Sequence, residues 1–120
     1  MVALGGALGS IARYGVSAAL LRGSGTAVPY ATGIVNVLGC AIAGVLAGLL
    51  SSARITLTIE HRALIIAGVL GGFTTFSGFG LDLLTLVNEG RGPAAFVNLV
   101  VQVVGGLGLL AIGYVLARTA

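Results

Sequence analysis

The chain has 120 residues, of which 58% are hydrophobic and only 8% are charged, and its formal net charge is +3. Its mean hydropathy of +1.15 excludes an ordinary soluble domain, which would aggregate with so few charges. All six basic residues are arginines that stand singly along the chain, so nothing indicates a nucleic-acid partner. The composition indicates an integral membrane protein in a lipid bilayer.

Three short polar stretches, at residues 22–26, 51–62 and 88–92, divide the chain into four apolar segments. We predict helices over residues 2–21, 29–50, 63–87 and 93–117, each long enough to cross a hydrocarbon core of ~30 Å. Pro29 and Pro93 fit the first turn of a helix. The unbroken apolar runs lack the alternation of barrel strands. The predicted fold class is therefore an all-α integral membrane protein, a single four-helix domain over residues 1–120.

Small residues recur in these segments at a spacing that lets helices approach closely. The chain has 21 glycines, and pairs four residues apart place both members on one helix face. These pairs are Gly5/Gly9, Gly44/Gly48 and Gly68/Gly72. The spacing predicts a tight bundle or dimer.

The arginines give only a weak preference for one orientation in the membrane. With four spans, Arg54, Arg62 and Arg118 share a side with both termini. Arg22 and Arg91 lie on the other side, so the bias is three against two. Such a balance suggests dual topology, in which copies insert both ways and pair antiparallel.

The third segment carries the most informative pattern, GVLGGFTTFSGFGLD over residues 68–82. Paired glycines and paired threonines predict a break in this helix near residues 71–75. Broken backbone at membrane depth commonly builds an ion site, although a simple glycine kink with capping threonines is the alternative. If the helix resumes, Phe76 and Phe79 share one face because they are three residues apart.

The stretch GGFTTFSGF closely resembles the signature of the CrcB/Fluc fluoride channels, usually of the form GGxTTFSTF. The resemblance extends to GGALGSIARY, which contains Arg13, and to GIVNVLGC, which contains Asn36. Length, number of spans and order of motifs match over essentially the whole chain. The resemblance implies an antiparallel dual-topology homodimer with two fluoride pores.

By the same resemblance, the fluoride pore is lined by Asn36, Phe76 and Phe79, with Ser77 and Thr75 as nearby polar candidates. Fluoride is strongly hydrated, and amide N–H groups, hydroxyls and the positive edge of an aromatic ring are suitable replacements for water.

The resemblance also implies a structural Na⁺ at the centre of the dimer, bound by backbone carbonyls of Gly71 and Thr74 from both subunits. Carbonyl oxygens are suitable hard ligands for such a cation.

Four further polar residues have open roles. Arg13 and Asp82 are candidates for a vestibule at the pore mouth. The alternative for Arg13 is that it snorkels to the membrane surface or pairs with a carboxylate, and the alternative for Asp82 is an ion pair with an arginine. Asn98 and Gln102 stand where the family often has Tyr and Ser facing the pore. They either line the pore or hold helices together by hydrogen bonds.

The sequence thus predicts passive export of fluoride across the cell (plasma) membrane, which reduces fluoride toxicity. One alternative is a small proton-coupled multidrug exporter, but the first helix lacks the carboxylate that such transport needs. Another is one subunit of a heterodimeric fluoride channel. An enzyme is not expected, because no catalytic set is evident and His61 is predicted to lie in a turn.

Overall fold

The computed structural model describes residues 1–24 and 30–120, and every regular element in these ranges is helical. We name the helices α1 (Val2–Ser24), α2 (Tyr30–Ser51), α3 (residues 59–73), α4 (Phe76–Asn88) and α5 (Gly92–Thr119). Among the residues so described, four segments are long and apolar enough to cross a membrane, with α3 and α4 together forming the third. The prediction of an all-α, multi-pass membrane protein with four spans is confirmed.

The helix ends agree with the predicted ones to within a few residues, with one correction. Pro93 lies in the first turn of α5, as predicted, whereas Pro29 lies outside the described residues. The start of the third span was predicted four residues too late, because Thr58 caps α3 by accepting a hydrogen bond from the His61 N–H at 3.2 Å. His61 is therefore exposed in the first helical turn and not in the preceding loop.

Two of the spans contain π-helical segments, at Ala63–Leu70 in α3 and Val101–Gly105 in α5. A π-helical turn has more residues than an α-helical turn and therefore shifts the faces on either side of it. Such segments occur frequently at functional sites. The second one contains Gln102.

The helices pack in two pairs through glycine contacts. In the pair of α1 with α3, a side chain at Gly5 would strike the backbone of Leu64, and one at Gly72 would strike that of Gly6. In the pair of α2 with α5, a side chain at Gly44 would strike the Leu110 carbonyl. These contacts confirm that the predicted glycine pairs allow close approach.

Many large apolar side chains face outward, although Val35, Phe79 and Leu86 are buried. Exposed examples occur on each span, such as Ile11 at 68%, Ile42 at 53%, Leu81 at 64% and Leu107 at 62% exposure. Small residues fill the interior, including Gly33, Gly39 and Gly106. This distribution suits a bundle that lipid surrounds.

Candidate functional site

α3 and α4 meet at two residues whose backbone is extended rather than helical. Thr74 has φ −84° and ψ 158°, and Thr75 has φ −152° and ψ 118°. The Thr74 hydroxyl donates to the Leu70 carbonyl at 2.9 Å, and the Thr75 hydroxyl oxygen caps α4 by accepting from the Gly78 N–H at 3.0 Å. The carboxyl end of α3 and the amino end of α4 thus lie side by side within the third span.

The side chain of Asn36, on α2, is hydrogen-bonded to this extended backbone. Its Oδ1 accepts from the Thr75 N–H at 2.8 Å, and its Nδ2 donates to the Thr75 carbonyl at 2.9 Å. Since a backbone N–H can only donate and a backbone carbonyl can only accept, this pairing fixes which end of the carboxamide faces which group. Asn36 therefore supplies polar partners to a stretch of chain that has left the helix.

The hydrogen bonding continues from Asn36 into α5. Its Nδ2 also donates to Gln102 Oε1 at 2.8 Å, and Gln102 Nε2 donates to Asn98 Oδ1 at 2.7 Å. Gln102 and Asn98 are only 9% and 6% exposed. We call Asn36, Gln102 and Asn98 the carboxamide chain; it links α2, α5 and the junction at Thr75.

The two predicted phenylalanines contact each other on α4. Their ring centroids are 5.7 Å apart and the ring planes meet at 61°, an edge-to-face arrangement. This contact confirms that the two share a face. Phe79 is buried at 7% exposure, whereas Phe76 is 85% exposed, so their surroundings differ sharply.

An open cavity of about 260 Å³ lies against the junction. Its lining includes four of the five predicted pore residues. The lining residues are Asn36, Cys40, Thr74, Thr75, Phe76, Phe79, Gln102 and Val103. Ser77, the fifth, is exposed at the start of α4, with its hydroxyl oxygen 3.2 Å from that of Thr75.

The carbonyl groups of Gly71 and Thr74, the predicted sodium ligands, have lost their usual helical partners. In a continuous helix the Thr75 N–H would donate to the Gly71 carbonyl, and the Gly78 N–H would donate to the Thr74 carbonyl. Here the first donates to Asn36 Oδ1 and the second to the Thr75 hydroxyl oxygen. Both carbonyls therefore lack the N–H donors that they would have in a continuous helix.

The vestibule candidates do not meet each other as an ion pair. Within residues 1–24 and 30–120, the salt bridge present is Arg91–Glu89 at 3.6 Å. Asp82 lies beside Thr32 of α2, and its buried Oδ2 has no hydrogen-bond partner in the part of the chain that the structure covers. Arg13 is half-buried on α1. The alternative of an Asp82 ion pair is not observed among these residues.

The chain matches a family model described as CrcB-like protein, Camphor Resistance (CrcB), over residues 1–114. It belongs to the CrcB-like family. Similar proteins include two that are named fluoride-specific ion channel FluC. The one from Chloroflexus aurantiacus is 44% identical over 98% of this chain and 92% of the relative. The one from Rhizobium etli is 45% identical over 93% of this chain and 87% of the relative. The protein of that name from Rhodospirillum centenum is 46% identical over 99% and 94%.

Membership in the CrcB-like family confirms the resemblance drawn from the sequence motifs. The motifs did not decide whether the polar residues of α5, Asn98 and Gln102, line the pore or hold helices together. The structure brings Gln102 to the cavity and to Asn36, while Asn98 lies one turn behind it. Their spacing of four residues was the signal that they share a face, but nothing in the motifs identified Asn36 as the partner. Cys40 and Val103 are further lining residues that the sequence analysis did not assign to the cavity.

Proposed function

We propose that this CrcB-like chain is a subunit of a fluoride channel that lets fluoride leave the cell passively across the plasma membrane. The observation that carries the proposal is the cavity at the junction of α3 and α4, where Asn36, Thr75, Phe76 and Phe79 meet in a membrane span. Relatives at about 44% identity are named fluoride-specific ion channel FluC, which supports fluoride as the ion.

The groups around the cavity suit a small anion. The amino end of α4 begins at the cavity, and the dipole of a helix favours negative charge at that end. The ring edges of Phe76 and Phe79 carry partial positive charge, and the hydroxyl groups of Thr75 and Ser77 are hydrogen-bond donors within 3.2 Å of each other. Such weak, multiple contacts let an ion enter and leave.

The carboxyl end of α3, on the other side of the junction, suits a cation. The carboxyl end of a helix is electronegative, and the carbonyls of Gly71 and Thr74 do not receive their helical N–H groups. We propose that both bind a structural Na⁺. The break in the third span would thus expose donors for fluoride on one side and acceptors for sodium on the other.

One chain offers two such carbonyls, which is too few for a closed sodium site. A second copy related by a two-fold axis would supply the same pair again. We therefore propose an antiparallel, dual-topology homodimer with the Na⁺ on its axis. The exposed ring of Phe76 is then available to a neighbouring subunit as well as to lipid.

We propose that Arg13 influences ions near the junction. α1 runs parallel to α3, and Gly9 contacts the backbone of Val69 and Phe73, so Arg13 lies about one helical turn beyond that level. A half-buried cation at this depth raises the positive potential met by an anion. We propose both Arg13 and Asp82 as vestibule residues, with Asp82 further along α4.

Release of fluoride from liposomes tests the proposed function. Purified protein is reconstituted in vesicles loaded with fluoride or with chloride, and efflux is followed with an ion-selective electrode. Rapid fluoride release with chloride retained supports the proposal. Release that instead requires an opposing proton gradient would favour a proton-coupled exporter and overturn it. Fluoride release only after co-reconstitution with a homologous chain would replace the homodimer by a heterodimer.

A further inference from the structure

We infer that α4 of the partner subunit packs into an apolar groove of this chain, and that Arg62 at the mouth of the groove pairs with Glu89 of the partner subunit, an inference that rests on the proposed antiparallel homodimer and deepens it. The groove has a volume of about 500 Å³ and lies between α2, α3 and α5. Its lining residues are Ala43, Leu46, Ala47, Leu50, Ser51, Arg62, Ile66, Leu70 and Leu110. We call it the interhelical groove.

The interhelical groove continues the cavity at the junction toward the membrane face on which the third span begins. On α2, Ala43 of the groove lies one turn beyond Cys40 of the cavity. On α3, Leu70 of the groove lies one turn before Thr74 of the cavity. Arg62, at the far end, is roughly 15 Å of helix away from the junction. The groove therefore occupies one half of the membrane, from its middle to its surface.

A two-fold axis through the proposed Na⁺ places the partner's α4 in the same half of the membrane as the interhelical groove. Because the proposed subunits are antiparallel, the axis lies in the membrane plane and exchanges the two halves of the bilayer. Within one chain, α4 runs from the junction toward the face opposite the groove. The partner's α4 therefore begins near the axis and runs toward the face at which Arg62 lies.

The surfaces that would meet are complementary in shape. The exposed side of α4 carries Leu81, Leu84 and Val87, which are 64%, 56% and 57% exposed. The α2 side of the groove carries Ala43 and Ala47, two small residues four apart, a spacing that lets a neighbouring helix approach closely. Close backbone approach benefits a packed helix more than a lipid chain. The groove is therefore better suited to α4 of a second copy than to lipid.

Charge complementarity fixes how far the partner's α4 extends along the groove. Arg62 is in no salt bridge within residues 1–24 and 30–120. Glu89 follows α4 directly, roughly 20 Å from the junction, so the axis brings it to within about one helical turn of the level of Arg62. Its pair with Arg91, at 3.6 Å, is half-exposed, and such pairs contribute little. The electronegative carboxyl end of α4 also favours a cation there.

Cross-linking tests this contact in a Cys40→Ala background. Within one chain, Arg62 and Glu89 lie at opposite membrane faces, roughly 35 Å of helix apart, so a short link between them joins only antiparallel subunits. We expect a short bismaleimide to give a covalent dimer of the variant that carries Arg62→Cys and Glu89→Cys. The matched control carries Glu60→Cys and Glu89→Cys, because Glu60 is exposed at the same level but on the opposite side of α3. Equal yields from the two variants, or no dimer from the first, would overturn the inference.

Exchange of the two charges is a second, independent measurement. Arg62→Glu and Glu89→Arg should each weaken dimerisation in detergent about fivefold, which corresponds to ~0.5 kcal/mol for each of two symmetry-related pairs. The protein with both substitutions should recover the wild-type dimer fraction on dilution. A double variant as weak as the single ones would contradict the pairing. Both side chains are exposed, and exposed substitutions usually change folding stability little.

A phospholipid in the interhelical groove is the competing occupant. It would appear in native mass spectrometry as lipid retained by the protein, with no cross-link between positions 62 and 89, and would overturn the inference. Failure of the proposed function gives a different result, because cross-linking requires no ion transport. Cross-linked dimers that release no fluoride would reject the channel and retain the interface, whereas fluoride release without the cross-link would do the reverse.

Discussion

The carboxamide of Asn36 pairs with the backbone of Thr75 by two hydrogen bonds, of 2.8 and 2.9 Å, between residues 39 positions apart in the chain. This pairing resembles one step of a β-ladder, supplied by a side chain instead of a strand. It gives the N–H and the carbonyl of Thr75 a polar partner at the point where the backbone leaves the helix at membrane depth. It also withholds the Thr75 N–H from the Gly71 carbonyl. One side chain therefore influences both proposed ion sites.

Substituting Asn36 is expected to affect stability and conduction together. Asn36→Ala removes the acceptor of the Thr75 N–H, at a cost of about 1–3 kcal/mol for that unpaired group. We expect lower thermal stability in detergent and loss of fluoride efflux. Asn36→Asp retains the acceptor for the N–H but not the donors, so its stability should lie between those of Asn36→Ala and wild type. Equal stability of all three proteins would contradict the structural role of Asn36.

Substituting the two phenylalanines should separate conduction from stability. Phe76 is 85% exposed, and exposed substitutions usually change stability by no more than about 0.5 kcal/mol. Phe76→Ile should therefore abolish fluoride efflux while the purified protein keeps its wild-type unfolding temperature. Phe79 is buried, so Phe79→Ile should also lower stability, by about 1 kcal/mol. Wild-type flux in Phe76→Ile would remove Phe76 from the proposed pore.

Glycine contacts between the helices offer a test of the packing. A methyl group at Gly44 would meet the Leu110 carbonyl of α5, whereas one at Gly108 would meet nothing within 4 Å. Gly44→Ala is expected to destabilise the protein by about 1–3 kcal/mol, the usual cost of overpacking, and Gly108→Ala to have little effect. The comparison is made by thermal unfolding in one detergent. Similar unfolding temperatures for the two variants would mean that α2 and α5 are less closely packed than described.

The sequence predicted more of the fold than of the site. Hydropathy was sufficient to predict the four spans. The spacing of residues within single helices was sufficient to predict that Gly44 lies at a close helix contact and that Phe76 and Phe79 share a face. The pairing of Asn36 with Thr75 and Gln102 depends on how three separate helices are rotated about their axes. The π-helical segment that contains Gln102 changes this rotation, and the sequence has no local signal for it. Long-range polar contacts were therefore beyond prediction.

The proposed sodium site predicts that stability depends on the identity of the cation. An ion that binds only the folded protein stabilises it by about 2.7 kcal/mol at a concentration 100 times its dissociation constant. We expect the protein to unfold at a lower temperature when Na⁺ is replaced by K⁺ or N-methylglucamine at equal ionic strength, and the fraction of dimer to fall. Because the proposed ligands are backbone carbonyls, the effect should persist in Phe76→Ile. Identical unfolding curves in all three salts would contradict the site.

Cys40 provides a direct probe of the cavity in the functioning protein. It is the one cysteine of the chain and lines the cavity together with Asn36, Phe76 and Gln102. A small methanethiosulfonate reagent that attaches a polar group to Cys40 should occlude the cavity and stop most fluoride efflux from liposomes. Cys40→Ala is the matched control and should conduct normally with and without the reagent.

A reagent that labels Cys40 stoichiometrically, as measured by mass spectrometry, but leaves efflux unchanged would mean that ions do not pass through this cavity. Protection of Cys40 from labelling by fluoride, and not by chloride, would give the opposite result. It would show that the anion occupies the space between α2 and the start of α4. The same protein sample serves for both measurements, so the rate of labelling and the rate of efflux are compared directly.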